Sequence, residues 1–185
     1  MTLGEGKDKV YMLLDEHSAG GVVEHDADIE AKLNYFFDIA QKEVAKVQKI
    51  LKSRKYSPTQ DREEYSLPSD LMGVYRIWRD GRSMGSRYRI RGGKLIIPAS
   101  DEGREILLEY FAIPETITEE TDDSYEFELR EDGCNCLPYY VAAQQLLPDL
   151  VMDYSSMLTM YQMSLQTLDK TIPGENGKLV QRFFR

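Results

Sequence analysis

The chain's two cysteines, Cys134 and Cys136, stand one residue apart in EDGCNCLPYY, just ahead of a proline and an apolar run. A structural zinc ion takes four nitrogen or sulfur ligands in a tetrahedron, and a C-x-C pair supplies only two. The two histidines, His17 and His25, flank a glycine-containing stretch far away in sequence and do not complete the set by spacing. Nothing pairs either histidine with a nucleophile, and the chain has no G-x-S-x-G elbow, H-E-x-x-H pair or phosphate-binding G-x-x-x-x-G-K-[ST] loop. The acidic run EETDDSYEFELRED lacks the glycine-turned loop and spaced acids of an EF-hand. The cysteines therefore read as a turn leading into a helix, with Asn135 or Cys136 near the N-cap and Pro138 at the first helical position, where its missing N–H costs nothing. Neither an enzyme activity nor a metal or other cofactor is expected.

Composition narrows the class further. With 185 residues, 42% apolar and 30% charged, the chain has the makings of one packed, soluble domain with a sizeable insertion. No run approaches the roughly 18 apolar residues of a membrane span, so no membrane partner is expected. The opening MTLGEGKDKVYMLLDEH lacks the basic start and cleavage site of a secretory signal, and two cysteines make no disulfide framework; both point to the cytoplasm. A net charge of -9 disfavours grasping nucleic acid. The charge is also segregated. Residues 101–132 carry thirteen acids against Arg104 and Arg130, a net of -11, whereas residues 76–94 carry seven basic residues against Asp80, a net of +6.

The elements that must position these charges follow from periodicity. Residues 8–17 read as a short helix, and 26–52 as a long one, with Ile29, Leu33, Phe36, Ala40, Val44, Val47 and Leu51 recurring at three- and four-residue steps. The period then changes to two. Met72–Trp78, the YRIRGGKLIIP hairpin with its Gly92-Gly93 turn, and REILLEYFAIP make a β insertion over 63–114. An acidic loop spans 115–137, and helices return over 138–169, broken at Pro148. There Val151, Tyr154, Leu158, Tyr161, Leu165 and Leu168 make a seam for the long first helix. The expected fold is mainly α: one domain over 1–170, an antiparallel helical bundle with an inserted small antiparallel β-sheet, followed by a C-terminal arm over 171–185. That arm, in GKLVQRFFR, sets Leu179, Val180, Phe183 and Phe184 among Lys178, Arg182 and Arg185, a pattern suited to anchoring in another chain's groove.

The order of these segments resembles the bacteriophage head-tail adaptor proteins, the connector family that includes tail tubular proteins of short-tailed phages. The resembling stretches are REEYSLPSDLMGVYRI, YRIRGGKLIIP, ILLEYFAIPETITEETDD and LPYYVAAQQLLPDLVMDY, between Arg62 and Leu168. The resemblance implies a non-enzymatic virion protein of the neck, assembled in host cytoplasm into a ring of about twelve copies under the portal protein. Such a ring extends the DNA channel without binding DNA specifically and presents a platform to the next neck or tail protein. It also implies that a C-terminal arm docks into the portal; here that is Leu179, Arg182, Phe183, Phe184 and Arg185. The chain departs from the pattern in the longer DSYEFELREDGCNC between the aspartates and the helix.

A ring of identical subunits needs two different complementary faces. The charge pattern offers a basic face at Arg76, Arg79, Arg87, Arg89 and Arg91, and an acidic face at Glu119, Glu120, Asp122, Asp123, Glu126 and Glu128. The acids facing neither neighbour would line the channel and keep DNA from sticking. Two other readings compete: a tail-completion protein that binds tail rather than portal, and a cytosolic protein-interaction module.

Overall fold

A computed structural model describes residues 1–17, 27–84, 88–146 and 153–168. It corrects the expected fold class. The protein is mixed α/β, with four α-helices and seven strands in two antiparallel sheets among the described residues, and not a mainly helical bundle. It divides into two compact units, one formed by residues 1–49 and 114 onward, the other by Ile50–Ile113.

The helical unit begins with α1, Leu3–His17. Its start is set by a reciprocal capping box: the Glu5 amide donates to Thr2 Oγ1 at 3.2 Å, and the Thr2 amide donates to Glu5 Oε2 at 2.9 Å. Helix α2, Ala27–Gln48, buries Leu33, Phe37, Ala40 and Val44 along one stripe. A second stripe, rotated by one residue, is polar and also buried: Asn34, Gln41 and Gln48 are at most 3% exposed. Helix α2 stops at Gln48, four residues short of its expected end, because Lys49 takes φ 61° and turns the chain. That left-handed position usually belongs to glycine, so the sequence carries no stop signal there.

Helix α3, Glu131–Leu146, starts seven residues before Pro138, which therefore lies inside the helix and not at its first position. Proline removes the hydrogen bond that residue 138 would donate to the Cys134 carbonyl. Helix α3 packs against α1, α2 and α4, and α4 is Asp153–Thr167. Of the seam expected to face the long helix, Tyr161 and Leu168 are buried, while Met157 outside that seam is buried as well; α4 packs chiefly on α3, where the Tyr140 and Tyr161 rings meet at 5.1 Å.

In the second unit, β1 (Ile50–Tyr56), β7 (Ile106–Ala112), β3 (Leu71–Arg79) and β4 (Arg82–Ser83) form a sheet in that order. Strand β1 occupies residues expected to end the long helix; it pairs with β7 from Ile50↔Ala112 to Tyr56↔Ile106. Three shorter strands, β2 (Glu64–Ser66), β6 (Lys94–Ile96) and β5 (Arg89–Arg91), make the other sheet. Asp80-Gly81 and Gly92-Gly93 hold positive φ at both turns, which closes the β3–β4 and β5–β6 hairpins. The core holds Tyr65 and Leu95 from the small sheet and Ile77, Ile106, Leu108 and Tyr110 from the large one. Its tyrosine hydroxyls reach partners at the rim, such as Tyr56 to the Ser66 carbonyl at 3.0 Å and Tyr110 to Asp70 at 3.1 Å.

One close approach locks α3 to α2. A Cβ on Gly133 would stand 2.7 Å from Gln48 Oε1, and Gln48 is held in place because it accepts from the Arg130 amide (2.8 Å) and donates to Asp132 Oδ1 (2.6 Å). Alanine ordinarily favours a helix over glycine by about 1 kcal/mol. Here the displaced, buried amide costs more, so Gly133→Ala is expected to destabilise the protein by about 1–2 kcal/mol net in urea titration. An unchanged midpoint would mean that Gln48 is not fixed.

Candidate functional site

The cysteines come first, as the only thiols. Two residues along a helix turn its direction by about 200°, so Cys134 and Cys136 in α3 do not aim at one ion. Each thiol instead donates to a main-chain carbonyl, Cys134 to Leu129 at 3.5 Å and Cys136 to Gly133 at 3.1 Å. A position near a helix N-terminus favours thiolate, whereas burial opposes it. Burial wins: both thiols are pushed up, Cys136 to about 11. Among the described residues, no group of three or more His, Cys, Asp or Glu side chains converges on a metal position. His17's side chain and His25 lie outside the described residues.

The acidic segment is held by hydrogen bonds from two helices of its unit. Although residues 115–130 are irregular, the polar stripe of α2 holds them rung by rung. Gln41 Nε2 donates to the Glu115 carbonyl at 2.7 Å, the Ile117 amide donates to Asp38 Oδ1 at 3.0 Å, and Asn34 Nδ2 donates to the Thr118 carbonyl at 3.0 Å. Tyr125 OH donates to Gln41 Oε1 at 3.2 Å. The start of α1 grips the other side: the Leu3 and Gly4 amides donate to the carbonyls of Tyr125 (2.8 Å) and Asp123 (2.9 Å). Gly4 permits this contact, since a Cβ there would stand 3.1 Å from Asp123 Cβ. Ile117, Phe127 and Leu129 turn inward and are buried.

The carboxylates are left outside. Glu119, Glu120, Asp122, Asp123, Glu126 and Glu128 are all exposed, so the structure brings the six together along one tethered segment. Three have local partners: Asp123 pairs with Lys7 at 2.6 Å, Glu128 accepts from the Glu115 amide at 3.2 Å, and Asp122 accepts from the Ser124 amide at 2.8 Å. Hydrogen bonds from Ser124 hold the Asp122 carboxyl below its ordinary value.

The four described arginines, Arg76, Arg79, Arg89 and Arg91, do not share a face. Arg76 lies against the rings of Tyr75 and Trp78, at 5.2 and 5.1 Å, on the large sheet. Arg79 binds Asp101 Oδ1 at 2.7 Å, while Tyr88 OH donates to Asp101 Oδ2 at 2.9 Å. Because Asp101 is 1% exposed, Arg79 neutralises a buried charge and serves the unit's own packing. Arg89 and Arg91 are exposed on β5, in register with Ile96 and Lys94 and on the side of the small sheet away from the buried Leu95. Arg87 lies outside the described residues, as do the arm residues Leu179, Arg182, Phe183, Phe184 and Arg185.

Two features were missed in the sequence. The stripe of buried Asn34, Gln41 and Gln48 with half-buried Asp38 has helical spacing, but polar residues on a helix ordinarily mark its wet side. Asp101 counts among the thirteen acids of 101–132 as one surface charge like the others, although it is buried and paired with Arg79. No protein-family model matches the chain, and no curated protein does.

The thiols give a direct check. Between the ordinary thiol value of 9.0 and the raised value of about 11 at Cys136, the unfolded chain releases a proton that the folded chain keeps. This contribution is complete below pH 9 and is lost as pH rises through 11, so stability is expected to fall over that window. Native protein near neutral pH is expected to resist iodoacetamide at both cysteines and to react fully once unfolded. Rapid native alkylation would contradict the buried, hydrogen-bonded thiols.

Proposed function

We propose that the chain is a non-enzymatic structural subunit of a bacteriophage neck, which forms a homo-oligomeric ring joining the capsid portal to the next neck or tail protein and extending the DNA channel. The observation that carries this reading is the division of charge between the two compact units. Ile50–Ile113 holds twelve basic and nine acidic residues, a net of +3, and the rest of the chain holds eleven and twenty-three, a net of -12. Identical subunits that differ in charge from one unit to the other favour head-to-tail over twofold contacts, and a head-to-tail contact gives a ring where its rotation closes.

The reading does not depend on a mainly helical fold. It draws on the resemblance between Arg62 and Leu168, on exposed Arg89 and Arg91 in one unit, and on the fixed row of exposed carboxylates in the other. Exposed pairs each contribute only about 0.2–1 kcal/mol, so charge sets register and encounter rate more than final affinity. The arm residues Leu179, Arg182, Phe183, Phe184 and Arg185 supply an apolar and cationic anchor for the portal.

Light scattering on the protein alone and mixed with its phage's portal tests this, for the full chain and for a chain ending at Thr171. The full chain is expected to join the portal as a multi-subunit ring, more weakly as salt rises, and the shortened chain to fail. Two monomeric proteins that ignore the portal would overturn the assignment. Sedimentation unchanged between low and high salt would remove charge pairing from it.

A further inference from the structure

The chain passes from one compact unit to the other only twice, between Lys49 and Ile50 and between Ile113 and Pro114. At both points its hydrogen bonds switch units within one or two residues. On the way in, the Lys49 amide still donates to the Ala45 carbonyl of α2 at 3.0 Å, whereas Ile50 already pairs with Ala112 on β7. On the way out, the Ile113 amide donates to the Asp70 carbonyl at 2.7 Å, inside the β unit. Pro114 has no amide to give, and the next amide, that of Glu115, donates to Glu128 Oε1 at 3.2 Å, inside the helical unit. A left-handed lysine and a proline thus end each structure where the other begins.

The β unit also meets its own needs between these two points. The ten buried residues of its core cluster all lie from Tyr56 to Ala112, and the half-buried Ile50, Leu67, Leu71 and Met84 that pack on them belong to the same unit. Five ion pairs join its own residues: Lys52–Asp70, Lys55–Glu105, Arg79–Asp101, Lys94–Glu64 and Arg104–Asp80. Its buried carboxylate, Asp101, is answered by Arg79 and Tyr88 from within. The ends are neighbours as well, since the Ile50↔Ala112 pairing sets the first and last strand positions side by side, about 5 Å apart. Domains of about 55–65 residues can fold alone, and adjacent ends are what allow one to be inserted into another structure.

We infer that Ile50–Ile113 is an autonomous folding module inserted into the helical unit, and that the two units gain and lose their structure independently. The consequence for function is that the two charged surfaces are separable. Exposed Arg89 and Arg91 stand on one self-contained structure and the tethered carboxylate row on another, so a disturbance of either leaves the other surface built. The inference does not rest on the ring reading.

The full-length chain carries its own probes for a test. Trp78, on β3, is its one tryptophan, and both of its cysteines, Cys134 and Cys136, lie on α3. Tryptophan fluorescence and brief alkylation pulses therefore follow the two units separately through one urea titration, and differing probes coincide only where unfolding is a single transition. Ile106→Val, at a fully buried position of the β core, is expected to lower the fluorescence midpoint by about 0.5 M urea and leave the alkylation midpoint in place. Gly133→Ala is expected to lower the alkylation midpoint by about 0.5 M and leave the fluorescence midpoint in place. Both patterns together support the inference. Any other result, including a variant that moves the two midpoints together, would overturn it.

Discussion

The helical unit depends on a row of buried amides and one carboxylate along α2. Asn34, Asp38, Gln41 and Gln48 recur at three-, four- and seven-residue steps and meet the main chain of an irregular segment that has no secondary structure to satisfy itself. A buried main-chain group without a partner costs about 1–3 kcal/mol, so an irregular segment can cover a helix only where side chains replace the missing ladder. That single constraint explains several others. Segment 115–130 is held closely enough to bury Ile117, Phe127 and Leu129, and α3 begins where Gln48 receives the Arg130 amide. Gly133 leaves no room for a Cβ beside the Gln48 amide, and Gly4 lets the segment approach closely at Asp123.

The β unit solves its polar bookkeeping differently. Its core is rich in tyrosine, and each ring is buried while the hydroxyl reaches a carbonyl or carboxylate at the edge. The buried Asp101 is matched by Arg79 and Tyr88, which ties the turn after Pro98 to the sheet. The consequence for function is a redistribution of the arginines. Arg79 is committed to the interior of its own unit, Arg76 to aromatic rings, and Arg89 and Arg91 remain on the surface of the small sheet. A charge count along the sequence weights all of them equally, whereas the fold does not.

Much of the local structure was legible. The turn at Gly92-Gly93 was marked by residues that accept positive φ, and the period marked the buried stripe of α2 at Leu33, Ala40 and Val44, although Phe37 rather than Phe36 is its buried ring. The fold class was not. Residues 50–56, ILKSRKY, continue the helical spacing through Leu51, and only pairing with a strand more than fifty residues later makes them β1. The helix end is hidden too, since Lys49 adopts the left-handed conformation in place of the expected glycine. Pro138 misled in the opposite direction: its preference for a first turn is a statistical tendency, and packing of α3 against three other helices outweighs one lost hydrogen bond. The capping box of Thr2 and Glu5 stood in plain view and places the start of α1 five residues before 8. The acidic face was visible as charge, but its rigidity was not, because that rigidity comes from α2.

Hydrogen exchange across residues 115–130 tests the central claim most directly, because that claim is that the acidic surface is fixed by side chains rather than left as a loop. The amides of Leu3, Gly4, Ile117 and Arg130, each bonded to or from this segment, are expected to exchange as slowly as those in the middle of α2. Exchange at the rate of an unstructured chain would mean that the α2 stripe does not hold the segment, and that the row of carboxylates is not a built surface.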